Sequence, residues 1–460
     1  MATCNVTKVP TRITSFIQKQ VAKLTNLAKD LHNPKIYLPL LLAMIIRFSL
    51  APFTEQRWDT YIWRLNQAFV YRYHENPFWP HPSAPLEFTW GYPPLWLFTL
   101  LLVYPFYMLI SSVSYPQNVN ALWNPYPWQN ATEMFESYRR FLPASLPLLD
   151  LINKTPIIIA DALIAIVVYK LIKSISNEKN ARYACWAWLF NPYVIMVSSV
   201  WGVFDSIPAL FVLLSLYYLI NNKFNRSALM LSMGILLKLY PAILIPIFAM
   251  IIFKGNKKIR GALKYCLICG LVVLLVVFAT YFAFALFAGQ EPLSTSIQLT
   301  SNLFVKRASP DWKGQNIVSG VTPLIILGDK LGATNVPISP ILMSAALFLI
   351  LLQLHSMKTI SKNDIFSYAA IAHFAIYMTY TVVNPQYFIW ILPILLILAG
   401  QNKSSLIKYF YWALSVVGIF YIFTAYDVSY HVSPIFAPDY LKIFVSSELF
   451  LTFIGIVILY

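Results

Sequence analysis

Asp59 is the residue whose type and position most directly suggest chemistry. It lies in Thr54-Glu55-Gln56-Arg57-Trp58-Asp59-Thr60-Tyr61, just past the first membrane-length apolar run, Ile36 to Phe53. Acids are scarce here, with only 18 Asp and Glu among 460 residues, so a carboxylate at a membrane exit is a candidate for work. A base at the rim suits removal of a proton from an incoming hydroxyl, near the depth of a lipid phosphate. The plain alternative is a rim acid paired with Arg57 or Arg64.

Other constellations share that character. Asp205, in Ser198-Ser199-Val200-Trp201-Gly202-Val203-Phe204-Asp205-Ser206, falls at a turn between two apolar runs. An ionisable residue at such depth is a functional hypothesis by default, and Asp also caps the helix that follows. Tyr92 opens Tyr92-Pro93-Pro94-Leu95, where a proline pair fixes a helix start. Lys238, in Leu237-Lys238-Leu239-Tyr240-Pro241, sits in an apolar hairpin, where it either snorkels or approaches a lipid phosphate. Gln386 and Tyr387, in Asn384-Pro385-Gln386-Tyr387-Phe388-Ile389-Trp390, mark a further turn that binds a sugar or caps two helices. Arg139, Arg140, Lys306, Arg307 and Lys313 are cations for a phosphate, since guanidinium matches phosphate oxygens with a bidentate fork. Each of them, taken singly, also reads as a solvated loop charge. Nucleotide-binding, metalloprotease and zinc spacings are missing from the sequence.

These residues need a scaffold, and composition names it. Hydrophobic residues make up 58% of the chain and charged residues 11%, with a mean hydropathy of +0.63. Apolar runs recur that are long enough to cross a hydrocarbon core of about 30 Å as helices. The expected class is an all-α polytopic membrane protein. The net charge of +16 does not imply nucleic acid, because the basic residues sit in short clusters between spans, as cytoplasmic loops do. Cys266 and Cys269 have CxxC spacing, but one turn inside a span reads as packing, and no disulfide framework is implied.

With residues 1–35 read as a basic cytoplasmic tail, Glu55 to Lys154 begins as an external loop. Placing Pro93 to Ser111 on the outer surface, not across the membrane, leaves every later basic cluster inside. This gives about twelve spans in all, with both termini inside and a long external loop at 289–338 carrying a short helix near Thr322 to Leu331. Only Asp30, Glu178 and Asp364 then face the cytoplasm, and the other acids lie on the external side or at its rim. The organisation expected is a transmembrane module over 36–288, including the loop 54–154, then the external loop, then C-terminal helices over 339–460.

Taken in order, these motifs resemble the GT-C type of membrane glycosyltransferase that uses dolichyl (polyprenyl) phosphate sugars. The set is similar to the catalytic subunit of GPI mannosyltransferase I and to lipid-linked-oligosaccharide glucosyltransferases. Glu55 and Asp59 stand at that family's acidic motif, Tyr92 to Leu95 at its helix start, and Asn191-Pro192 through Asp205 at its small polar turn. Lys238 to Pro241 and Gln386 to Trp390 match its Lys-x-Tyr-Pro and Gln-Tyr-Phe-x-Trp elements. The resemblance implies a GT-C-like fold and an inverting hexosyltransferase, with mannose ahead of glucose. Its donor is a polyprenyl phosphate sugar, and its acceptor is a lipid-linked glycan or other glycoconjugate on the external or lumenal face. Asp59 would be the general base, with Glu55 and Asp205 assisting; the cations, Lys238, Tyr92, Gln386 and Tyr387 would bind substrate. Arg57 stands where a strict DxD would place its first acid, which argues for a carboxylate base acting without a divalent metal. The membrane is the endoplasmic reticulum or a prokaryotic plasma membrane, and some relatives need a small membrane partner subunit. A glycolipid transporter or flippase is the rival class, but it predicts polar residues through mid-membrane instead of at one face. A non-catalytic assembly subunit is the other rival.

Overall fold

The computed structural model describes residues 33–79, 90–114, 146–308, 338–401 and 405–425. Among these the secondary structure is helical, with no strand. The helices are α1 (Pro34–Leu50), α2 (Arg57–Ala68), α3 (Pro94–Ser114), α4 (Leu146–Ile175), α5 (Glu178–Leu189), α6 (Pro192–Ile195), α7 (Ser206–Ile220) and α8 (Phe224–Ile235). They continue with α9 (Leu244–Asn256), α10 (Ile259–Phe287), α11 (Pro292–Ala308), α12 (Ile338–Ser356), α13 (Lys362–Thr379), α14 (Leu392–Gln401) and α15 (Ser405–Ala425).

Five described helices are long and apolar enough to cross a membrane: α3, α4, α10, α12 and α15. Shorter apolar helices lie between them, so the architecture is that of an all-α polytopic membrane protein. The outward face of α10 explains its apolarity: Leu263, Leu267, Leu271 and Leu275 recur every fourth residue and are all exposed, as lipid contact demands. α3 is the segment expected on the outer surface. It is 21 residues long, so its length fits a crossing as well as a surface position.

Local chemistry sets the helix ends. Asn33 caps α1 by accepting from the Lys35 N–H, with Pro34 in the first turn. Ser361 and Asp364 form a reciprocal capping box at α13. Asn191 caps α6 by accepting from Tyr193 N–H, and its amide donates to Tyr411 Oη at 2.7 Å and Ser415 Oγ at 2.8 Å. One side chain thereby starts a helix and ties it to α15.

Two expectations are corrected. Asp150 and Lys154 were placed in the external loop, but both belong to α4, which starts at Leu146 and runs 30 residues. Asp161 was grouped with acids at the external rim, yet it lies at the middle of α4. There Arg47 of α1 donates to it at 3.1 Å, with both side chains fully buried. A membrane interior accepts such a charge only when paired. The second arginine contact, to Leu189 O at 2.7 Å, brings α5 into the same junction. The expected helix at Thr322 to Leu331, the final span from Lys442 and most of the basic tail lie outside the described residues.

Candidate functional site

The candidate site forms where helices are interrupted. Backbone that leaves the helix at membrane depth must be satisfied by protein, and such breaks are where ligand groups find partners. Four breaks matter: the 51–56 turn after α1, a π-helical stretch Met196–Trp201 with residues 202–205 after it, the 236–239 break after α8, and the short 3-10 helix Pro385–Trp390.

Each break has a local cause. Gly202 ends the π-helix in the left-handed region, φ +84°, where glycine carries no Cβ penalty. Pro241 lacks an N–H to continue α8, and a 3-10 turn, Tyr240–Ile243, follows. Pro385 does the same after Asn384, and Tyr193 and Tyr377 hold the turn by donating to Pro385 O at 2.6 Å and Tyr387 O at 2.8 Å. The Pro-Pro start of α3 docks on the α8 break through Leu95 N–H to Leu236 O, 3.1 Å.

Asp205 and Lys238 meet at the centre. Lys238 Nζ donates to both carboxylate oxygens of Asp205 at 2.7 Å, and Trp390 Nε1 donates to Oδ1 at 2.5 Å. Asp205 occupies the first position before α7, but its side chain makes no cap bond; the carboxylate is committed to the ion pair. Lys238 is 6% exposed, so the snorkelling alternative is corrected. Its ammonium lies 5.0 Å from the Phe204 ring, 5.1 Å from Tyr387 and 5.6 Å from Tyr92 and Trp390, within cation–π range. Tyr240 and Tyr387 both stack on Trp390, with centroids at 3.8 and 4.1 Å. Phe204 stacks on Trp96 at 4.9 Å.

Asp59 stands within electrostatic reach of this pair, in the first turn of α2. Its Oδ2 accepts from Trp201 Nε1 at 3.1 Å, and its backbone N–H donates to the Gln56 side chain that caps the helix. The residue is half-buried. Burial pushes its carboxyl up to about 6, while the Trp201 bond and the Lys238 charge pull it down and the Asp205 charge adds to the rise. The two acids and the lysine therefore feel one another.

Glu55 has other partners. Its Oε2 accepts from Thr60 and Arg64, and Arg64 also donates to Asp150 of α4. This gives Arg64 the pairing that had been a bland alternative for Asp59. Gln386 is 5% exposed, and its Oε1 finds no partner among the described residues. Tyr240 Oη, Ser206 Oγ and His373 Nε2 are likewise buried without one. Ser206 adjoins Asp205, Tyr240 stacks on Trp390 and His373 packs edge-on against Tyr240; buried polar atoms are nearly always bonded, so these unmatched atoms suit a polar ligand or its waters. Arg139, Arg140 and Lys313 lie outside the described residues; Lys306 and Arg307 fall in the last turn of α11. Trp201, Tyr240 and Trp390 were not among the residues singled out, though each lay inside a quoted motif.

The chain is similar in part to known proteins. A family profile described as "PIG-U: GPI transamidase subunit PIG-U" matches residues 126–311, less than half of the chain. GPI mannosyltransferase 1 of Debaryomyces hansenii is 35% identical over 96 residues, 19% of this chain and 23% of the relative. GPI mannosyltransferase 1 of Candida albicans is 31% identical over 97 residues, covering 20% and 24%. The chain resembles GPI mannosyltransferases. It spans about a quarter of the length of these curated relatives. The profile segment contains Lys154, Trp201, Asp205 and Lys238, whereas Asp59, Tyr92 and the 385–390 turn lie outside it.

Proposed function

We propose that this protein is a membrane hexosyltransferase taking a sugar, mannose first, from a polyprenyl (dolichyl) phosphate carrier. The acceptor is a lipid-linked glycan or glycoconjugate at the external or lumenal face. One observation carries this. Among the described residues, the interior acids Glu55, Asp150, Asp161 and Asp205 each pair with an arginine or lysine, while Asp59 has a neutral indole donor. A half-buried carboxylate held near 6, with no counter-ion bonded to it among the described residues, is poised to take a proton at neutral pH.

In the reaction, the acceptor oxygen attacks the anomeric carbon as Asp59 removes its proton. The bond from that carbon to the phosphate oxygen breaks, and the phosphate leaves with the electron pair, inverting the centre. Asp205 orients Lys238, whose ammonium faces the growing phosphate charge, with Lys306, Arg307, Arg139 and Arg140 as further phosphate partners. The Tyr92, Tyr387 and Trp390 rings suit the apolar faces of a hexose, and Gln386 and Tyr240 suit its hydroxyls. Glu55 supports α2 through Arg64 instead of touching substrate. Asp59→Asn should abolish transfer from synthetic polyprenyl phosphate mannose in membranes containing normal amounts of protein. Full turnover by that variant refutes the base assignment.

The similarity to a GPI transamidase subunit favours a second reading, in which the same site holds a lipid-linked glycan without reacting. A lengthened radioactive acceptor separates the two: transfer produces one and binding does not.

A further inference from the structure

Lys154 is a buried cation that the proposed chemistry does not use. It projects from α4, fully buried. Its ammonium donates to Ala51 O at 3.0 Å and to Thr54 O, on the turn that leads from α1 to Glu55 and Asp59. It also donates to Ser199 O at 3.0 Å and Val200 O at 3.1 Å, at the end of the π-helix. Helix C-termini leave carbonyls without intrahelical donors and favour a cation there. Here one ammonium serves two such ends at once. The charges around it are Asp150, Glu55 and Arg64.

The two clamped segments are the ones that bring Asp59 and its hydrogen-bond donor together. Trp201 directly follows Val200; its carbonyl accepts from Gln56 N–H at 3.0 Å, and its indole donates to Asp59. The adjoining residue is glycine for the lysine's sake as well as for its own backbone. A Cβ on Gly202 would lie 2.5 Å from Lys154 Cε.

We propose that Lys154 is a positioning residue: by gripping the carbonyls of both segments, it holds the Trp201 indole against the Asp59 carboxylate. This rests on the transferase reading for its purpose, but its geometry is testable without turnover. Asp59 is faced by Trp201 and Gln56 and feels Lys238 and Asp205. The Trp201 bond favours its ionised form, and an indole N–H to a carboxylate contributes on the order of one pH unit to an acid's midpoint.

The test uses full-length protein labelled with 5-fluorotryptophan, in nanodiscs, with the Trp201 fluorine resonance assigned from Trp201→Phe. In the wild type that resonance should titrate near pH 6, and Asp59→Asn should remove the titration. In Lys154→Met, the midpoint should rise by about one unit, or the resonance should cease to follow pH as the contact opens. An unchanged midpoint in folded Lys154→Met overturns the proposal, as does a wild-type resonance that never titrates. Where Lys154→Met does not fold, Gly202→Ala displaces the lysine and should give the same shift. Failure of both to fold makes Lys154 structural only and likewise ends the proposal. If Asp59→Asn retains transfer while the Lys154→Met shift is present, the transferase reading falls and the positioning contact stands.

Discussion

If Asp59 is kept in the fold for chemistry, the protein should be more stable without its charge. The carboxyl is raised from its ordinary 3.8 to about 6, chiefly by burial. The folded state therefore favours the protonated form. Below the unfolded value both states are protonated and the group costs nothing. As pH rises from 3.8 towards 6, the unfolded chain ionises first and stability falls; above 6 the full penalty is present. At about 1.36 kcal/mol per pH unit the gap gives a ceiling of about 3 kcal/mol, and the group's partial exposure reduces this to about 1–2 kcal/mol. Asp59→Asn keeps the side-chain oxygen that accepts from Trp201 and removes the charge. It should raise the thermal unfolding midpoint of detergent-solubilised protein by a few degrees at about pH 7.5, with little change at about pH 4. Intrinsic fluorescence melts of both proteins across that range give the comparison. A variant no more stable at neutral pH, or a difference that ignores pH, would refute the reasoning.

Transfer should follow the same ionisation, with kcat/KM falling below about pH 6 as Asp59 takes up a proton; a pH–rate profile flat through that region removes Asp59 as the base. Lys238→Met strands the Asp205 carboxylate with the Trp390 donor and should cost about 3–5 kcal/mol, most of it recovered by adding Asp205→Asn. Denaturant melts of the single and double variants measure that coupling, and additive effects contradict the ion pair. Asn191→Ala loses the α6 cap and both bonds to α15. It should lower stability by about 1–3 kcal/mol, read as a drop in thermal midpoint.

The sequence made the class and most helices legible, because apolar length and proline or asparagine punctuation are local signals. Ser206–Ile220 and Ile338–Ser356 lie within a residue of where hydropathy puts them. The motifs around Asp205, Lys238 and Trp390 were legible as separate turns, but their convergence was not. Nothing in a linear reading says that residues 33 and 185 positions apart bond one carboxylate. The buried pair Arg47–Asp161 escaped for a related reason: an ionisable residue inside an apolar run is visible, but its counter-ion lies 114 positions away. Lys154 was hidden at the edge of a presumed loop, since α4 already includes Leu146 and the polar residues Asp150, Asn153 and Lys154 in its first described turns interrupt the apolar run that marks a span. Asp59 and Asp205 stood out, through the scarcity of acids.

The profile match divides the site along a physical line. The profile segment carries the cation half, Lys238 with its Asp205 partner. On the proposed reading that half would hold a lipid-linked anionic glycan whether or not anything reacts, and would serve a transferase and a binding subunit equally. The acid half, Asp59 on α2, lies outside the segment and is the part a pure binder has no use for. A binder gains nothing from a carboxylate that burial drives towards protonation, and neutral replacements there would only strengthen the fold. An acid held at that cost, with no counter-ion bonded to it among the described residues, is the argument for catalysis. It predicts that Asp59→Asn separates the two functions: transfer lost, binding of the lipid-linked glycan kept, and the fold firmer than before.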